Sequence, residues 1–200
     1  LVSKDGGTTW SDKSIISIKN KDHEGTAVDP SVIQLDDGSI RIYYFSPDTT
    51  SGDPSMNQGE HKVYSAISND GINFDFEDGT RFAISNLTDP EVIKNNNKWY
   101  MFYSTGDKTS YAVSDDGIEF DNQGEIDAKI GGVPGASYLL DGSMQVYGCS
   151  NGDIKSANSN DGLSFELEDG FALTSSYPIC DPSVDIYQNK YVMVYKVIDD

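Results

Sequence analysis

Four stretches of this chain carry the same pattern of apolar and polar positions. Ile40 to Ser46, Lys98 to Ser104, Met144 to Ser150 and Lys190 to Lys196 align without gaps and are rich in Tyr, Phe, Val and Ile, the residues that suit a pleated, half-buried surface. Each follows a short apolar run and a polar turn: Asp36-Asp37-Gly38-Ser39, Asn95-Asn96-Asn97, Asp141-Gly142-Ser143 and Gln188-Asn189. Such residues tolerate positive φ or bond their own backbone, so each turn predicts a hairpin. A third run follows over Lys62 to Ser68, Ser110 to Ser114 and Ile154 to Ser159, leading through a second turn into a fourth strand that contains Phe74, Phe120 or Phe165. No segment of useful length shows a 3.6-residue apolar period, so helices should be scarce. The predicted unit is four strands, A to D, and it repeats.

Two motifs mark the repeat. Ser-x-Asp-Gly-x-x-aromatic occupies the C–D turn at Ser68 to Phe74, Ser114 to Phe120 and Ser159 to Phe165, with a longer form from Ser3 to Trp10. Asp-Pro opens strand A in Val28-Asp29-Pro30-Ser31-Val32, Thr88-Asp89-Pro90-Glu91-Val92 and Cys180-Asp181-Pro182-Ser183-Val184. The Asp-Gly aspartates stand at 5, 70, 116 and 161, giving steps of 65, 46 and 45 residues. Steps in the forties match a propeller blade, a four-stranded antiparallel sheet, and the longer first step leaves room for one insertion. The fold expected is an all-β propeller, residues 1–200 forming one domain. The chain opens inside strand C at Leu1-Val2-Ser3 and stops after strand B near Lys196, so N-terminal strands C and D can complete the blade begun at the C-terminus. Two readings stay open: a closed ring of four blades, or a piece of a larger, five-bladed propeller. With no initiator Met and no charged-then-apolar leader, the opening reads as a mature or trimmed chain.

Charge narrows the partners. Fourteen basic residues against 33 acidic give a net −19, a field that repels nucleic-acid phosphates and anionic membrane surfaces. No run approaches the roughly 20 apolar residues that span a bilayer. No Asp-x-Asp-x-Asp-Gly ladder of the calcium-loop type is present, and Cys149 and Cys180 lie in no Cys-x-x-Cys pair, so no metal or other cofactor is expected. The end of strand B in the third repeat should lie beside the start of strand A in the fourth. That brings Cys149 near Cys180, and a bridge requires Cα atoms within about 7 Å. His23 and His61 read as loop histidines at the surface.

The Asp-Gly motif resembles the Asp box of sialidases and related propellers, in which the Asp accepts backbone hydrogen bonds, the Gly takes a special dihedral and the aromatic packs between sheets. Sialidase chemistry fits poorly, because that family clamps its substrate carboxylate with three arginines and this chain has only Arg41 and Arg81. The Asp-Pro motif resembles the five-bladed propeller glycosidases: glycoside hydrolase family 43, with the fructosidase and mannoside phosphorylase families beyond. That resemblance spans the chain and implies a secreted or cell-surface, carbohydrate-directed propeller acting on an oligosaccharide or polysaccharide. In those enzymes one strand-A Asp serves as base or nucleophile, a second orients and tunes, and a Glu donates the proton. The pattern gives the first role to Asp29 and the second to Asp89, with Asp181 able to take the base's place.

The third repeat departs from the pattern. Counting back nine residues from Met144, as from Lys98 to Asp89 and from Lys190 to Asp181, lands on Gly135, and Pro134 stands where the acid is expected. Glu24, on the loop entering strand A, and Glu91 are the carboxylates left to contact substrate or supply a proton. A tandem repeat also has a structural reason to reuse Asp-Pro, since proline fixes φ at a strand's first position. A non-catalytic glycan-binding or structural surface propeller is therefore the alternative to a glycosidase.

Overall fold

The structure is a computed structural model that describes residues 1–46, 60–95 and 97–198. The insertion inferred from the long first step, and Asn96 of the second hairpin, lie outside those residues. Every regular element described is a strand. β1 (Ser17–Lys19), β2 (Val28–Gln34), β3 (Ile40–Ser46), β4 (Glu60–Ser68) and β5 (Asn73–Ser85) make the first sheet. β6 (Leu87–Asn95), β7 (Lys98–Thr105), β8 (Lys108–Ser114) and β9 (Asp121–Glu125) make the second. β10 (Gly132–Tyr138), β11 (Met144–Ser150), β12 (Asp153–Ser159) and β13 (Glu166–Leu167) make the third, and β14 (Ile179–Tyr187) with β15 (Lys190–Val197) the fourth. In the first three sheets consecutive strands pair antiparallel in the order A, B, C, D, the fourth has strands A and B alone among the described residues, and β1 is added parallel to β5 at the outer edge of the first sheet. This is a β-propeller of four-stranded blades.

The period of two along strand B sends alternate aromatics to opposite faces. Tyr43 and Phe45 meet Trp99, Met101 and Tyr103 between the first two blades. Tyr100 and Phe102, one residue out of phase, meet Met144 and Val146 between the second and third. Tyr147 then joins Ile179 and Val184 against the fourth. Burying each such side chain stabilises the fold by about 1.5–3 kcal/mol relative to leaving it in water.

The Asp-Gly turns lock these layers. Asp70 Oδ1 accepts the N–H groups of Ile72 and Asn73 at 2.8 Å each, while Ser68 Oγ accepts those of Asp70 and Gly71 at 3.1 and 3.0 Å. Asp116 and Asp161 repeat the arrangement. Gly117 shows why glycine is needed: its φ is 74°, and a Cβ there would lie 2.8 Å from the Trp99 ring. Tyr43 of the previous blade donates its hydroxyl proton to the Gly117 carbonyl at 2.8 Å, so the turn joins two blades.

Residues 1–16 form no strand, which differs from the expected strand C at Leu1-Val2-Ser3. Their Asp-Gly turn is formed nonetheless, Asp5 accepting the Thr9 N–H at 2.9 Å. It sits on the β14–β15 hairpin: Tyr187 donates to the Lys4 carbonyl at 2.6 Å, and a Cβ on Gly6 would lie 2.7 Å from the Tyr187 ring. No ladder joins the two segments among the described residues. The outer strands are also shorter than expected, β9 and β13 beginning just after Phe120 and Phe165 rather than containing them. Both arginines are held within the first blade. Arg41 makes a two-pronged pair with Glu77 at 2.8 and 2.9 Å, and Arg81 donates to the carbonyls of Glu77, Asp78 and Gly79.

Candidate functional site

Strand A opens the same way in all four sheets. Asp29, Asp89, Val133 and Asp181 have φ of 47°, 51°, 51° and 53°, each directly before a proline. Each ladder shifts register at that point, between Val28 and Ser31, Thr88 and Glu91, Gly132 and Gly135, and Cys180 and Ser183. The cause is local. Proline has no N–H to give the ladder and restricts the residue before it, and the bulge that results turns that residue's side chain off the sheet. Asp29, Asp89 and Asp181 thereby line one cavity of about 200 Å³ at the channel mouth, with Glu91, Val133, Pro134 and Ser183 in its wall.

The third repeat is aligned two residues differently from the sequence count. Val133, not Gly135, is the counterpart of the aspartates, and Pro134 matches the other prolines. The polar turns before β3 and β11 are longer, so that 11 residues separate Asp29 from Ile40 and Val133 from Met144, against nine from Asp89 to Lys98. A β-branched residue at positive φ is a rare conformation. Here a branched apolar side chain stands where three blades present a carboxylate.

Each carboxylate has different neighbours. Loss of hydration pushes Asp29 up to about 6, and the charges of Asp89 and Asp181 and a hydrogen bond with Asp89 add to it. Asp89 is raised as well, chiefly by burial, against the hydroxyl of Thr88, which donates to its Oδ2 at 2.6 Å, and that of Ser104. Ser104 Oγ also accepts the Val133 N–H at 2.5 Å, tying the second blade to the third. Asp181 has Lys196 Nζ 3.8 Å from its Oδ2, and its own N–H donates to Cys149 Sγ at 3.3 Å. Beneath them Glu91 is pushed up to about 7 by burial, partly offset by hydrogen bonds from Ser31 and the Ala136 backbone. Glu91 lines both the mouth and the channel of about 360 Å³ below it. Ser31 Oγ accepts the Val92 N–H at 2.8 Å, so it fixes β2 to β6 beside that carboxyl.

Glu24 is exposed on its loop and is not part of the cavity wall; its backbone carbonyl accepts from Ser46 Oγ at 3.5 Å. His23 is on a loop as expected, between β1 and β2, but it is half-buried, and His61 is neither on a loop nor at the surface. His61 is buried in β4 with Nδ1 2.5 Å from the Leu87 carbonyl, and His23 stacks on Tyr64 at 3.8 Å between ring centroids. Cys149 and Cys180 form a disulfide with Cα atoms 5.3 Å apart, joining the third blade to the fourth one residue before Asp181. Among the described residues no group of three or more His, Cys, Asp or Glu is arranged to hold a metal ion, and no helix is long and apolar enough to cross a membrane. Ser31, Ser104 and Lys196 escaped the sequence reading as site residues. The serine after Asp-Pro in two repeats, and the serine ending strand B, were the signals available.

No known protein family matches the chain, and no curated protein does. Solved structures are similar in fold. RS223-β-xylosidase matches at 18% identity over 82% of this chain and 69% of its own, with a TM-score of 0.65. CoXyl43, a family 43 β-xylosidase/α-arabinofuranosidase from a compost metagenome, matches at 16% identity over 87% and 74%, with a TM-score of 0.64. A family 130 glycoside hydrolase that targets β-1,2-mannosidic linkages in Candida mannan matches at 17% identity over 73% of this chain, with a TM-score of 0.59. The chain spans about half of that last protein, 49% of its length. What the chain shares with these glycoside hydrolases is the β-propeller fold.

Proposed function

We propose that the mouth of the channel is a site for hydrolysis of glycosidic bonds in an oligosaccharide or polysaccharide. Glycoside cleavage takes one ionised and one protonated carboxyl on opposite sides of the bond. The observation that carries this reading is the convergence of Asp29, Asp89 and Asp181 on one cavity, with Asp29 raised to about 6 by its surroundings and by the other two. Asp181, with Lys196 beside it, is the base or nucleophile. Asp29 holds the proton, Asp89 tunes it, and Glu91 is the reserve acid below. The fold of the solved relatives supports a sugar as substrate, and the inter-blade disulfide supports a secreted or cell-surface setting.

The test is to replace Asp29, Asp89 and Asp181 separately by Asn and assay aryl-glycosides and oligosaccharides. Loss of about 10²–10⁴-fold in rate with an unchanged or raised melting temperature at pH 7.5 supports the reading. Early melting of all three variants, with no sugar cleaved by the parent chain, rejects it.

Val133 favours a second reading. It takes the same left-handed φ with no carboxylate, so the conformation belongs to the repeat and does not require catalysis. On that reading the propeller binds glycans or acts as a surface scaffold, and the Asn variants bind sugar as the parent does. Under either reading we propose that residues 1–200 form one domain in which Leu1 to Trp10 belongs to the blade of β14 and β15. The seating of Gly6 on Tyr187 supports this, and amide-exchange protection of β15 that disappears when residues 1–10 are deleted would establish it.

A further inference from the structure

A second, larger cavity lies between the second and third blades, and its chemistry is opposite to that of the aspartates. It encloses about 470 Å³, and three of the chain's fourteen basic residues line it: Lys108, Lys129 and Lys155. Two carboxylates share it. Glu125 takes Lys108 at 2.8 Å, and Asp107 adds its charge to the same ammonium. Lys129 and Lys155 have no carboxylate within 4.0 Å among the described residues. Lys155 is half-buried and lies 5.7 Å from the centre of the Phe171 ring, which holds a cation by its face without neutralising it. Lys129, exposed, and Lys155, half-buried, thus bring two ammonium groups without an ion pair into one cleft of a chain with net −19.

The cleft adjoins the aspartates. Gly131 lines it and Val133 lines the mouth, two residues apart and so within about 7 Å of each other. Cys149 also lines the cleft, while its disulfide partner Cys180 directly precedes Asp181. Thr109 donates to the Gly131 carbonyl at 2.7 Å and fixes the shared wall. A sugar chain with one glycosidic bond at the aspartates would therefore lay a neighbouring unit in the cleft.

We infer that this cleft is a subsite for a sugar unit bearing an oxyanion, a carboxylate or a sulfate ester, recognised by Lys129 and Lys155. The inference rests on the carbohydrate-directed reading of the channel mouth and names the class of chain that reading leaves open. The net negative field does not oppose it at working ionic strength, because exposed charges more than about 8 Å away are largely screened, whereas an ammonium–oxyanion contact in the cleft is not. The same argument limits the ligand to one charged unit placed in the cleft, since a uniformly charged polyanion would also meet Asp29, Asp89 and Asp181.

The test is calorimetric titration of the full chain with three probes of equal length: neutral xylo- and arabino-oligosaccharides, the same oligosaccharides carrying a single uronic acid unit, and the same oligosaccharides carrying a single sulfate ester. The Asp89→Asn variant is run beside the parent so that cleavage does not confuse binding. Tighter binding of an acidic probe than of the neutral ones, weakened about tenfold by Lys155→Gln and again by Lys129→Gln, supports the inference. Which acidic probe binds decides between carboxylate and sulfate. Neutral probes bound as tightly as acidic ones, with no change in either lysine variant, overturn the subsite while leaving the channel-mouth reading intact. If none of the probes binds and no sugar is cleaved, both fall.

Discussion

The repeats use two kinds of aspartate, Asp-Gly in all four and Asp-Pro in three, and the two kinds solve opposite problems. The Asp-Gly aspartates face solvent in the C–D turns and accept several hydrogen bonds apiece, which hold Asp5 and Asp161 down to about 2 and lower Asp70 and Asp116. The Asp-Pro aspartates sit on left-handed backbone at the channel mouth, where lost hydration and the charges of Asp89 and Asp181 raise Asp29, and lost hydration and the charge of Asp181 raise Asp89. One set is stabilised as an anion and organises the chain locally. The other is kept close to like charges by the rest of the fold, and pKa values pushed upward in a cavity mark chemistry more often than structure. Residue type alone does not separate the two; the neighbour on the C-terminal side does. Gly lets the backbone N–H groups wrap around the carboxylate, whereas Pro withdraws an N–H and turns the carboxylate outward.

The largest effect expected of this difference is in activity. Asp181→Asn and Asp89→Asn should lower the rate of glycoside cleavage by about 10²–10⁴-fold and leave the fold intact. Asp116→Ala should do the reverse, with specific activity retained at low temperature and a melting temperature lower by roughly 5 °C, since it removes several local hydrogen bonds. Circular-dichroism melts and rate assays on the two sets would break the comparison if the effects were exchanged.

Next in size is the disulfide, which acts on the channel-mouth set alone. Closing a loop of this kind typically contributes about 2–4 kcal/mol, so reduction, or Cys149→Ser with Cys180→Ser, should lower the melting temperature by about 5–15 °C. It should also loosen the Asp181 N–H from its sulfur acceptor. Activity should fall at temperatures where the reduced chain is still folded, and the amide signals of the Asp70 and Asp116 turns should not move.

The propeller was legible in the sequence because both motifs carry local backbone chemistry. An Asp-Gly turn or an Asp-Pro bulge needs little help from tertiary contacts, so each repeats visibly wherever the blade does. What depended on spacing was lost. The hairpins before β3 and β11 are two residues longer than those before β7 and β15, and a fixed count therefore passed over Val133. The outer strand β9, reading Asp121-Asn122-Gln123-Gly124-Glu125, has one paired edge and no apolar alternation, so nothing local announced where it starts. His61 looked like a loop residue because the segment before it is polar, while burial comes from Phe45 across the sheet, its ring centre 5.5 Å away. Lys129 and Lys155 were not visible as a pair, since 26 residues and a blade boundary separate them.

The third prediction concerns the pH dependence of the reaction. If Asp29 carries the transferred proton, the free protein's rate should fall as the pH rises past about 6, where that proton is lost. Glu91, raised to about 7, would place the same limb higher if it were the donor. Replacing Glu91 by Gln and finding the limb unchanged assigns the proton to Asp29. Its disappearance together with the activity assigns it to Glu91.

The smallest effect is on stability, and it has opposite signs for the two kinds of aspartate. Asp29 binds its proton more tightly folded than unfolded, since its carboxyl rises from 3.8 to about 6. The stability it contributes is fully present below about 3.8 and is lost as the pH rises through 6. Asp161 is the reverse case, falling from 3.8 to about 2. Its contribution is present above 3.8 and is lost as the pH falls toward 2. Between pH 7 and 4 the melting temperature should therefore rise as acid is added, by a few degrees at most because solvent reaches Asp29, and below 4 it should drop. Asp29→Asn should reduce only the first limb, which Asp89 and Glu91 share, and Asp161→Asn only the second, which Asp5, Asp70 and Asp116 share. A parent protein whose melting temperature falls steadily from pH 7 downward would mean that the mouth aspartates are not held against one another. The contrast between the two sets would then reduce to a difference in turn geometry.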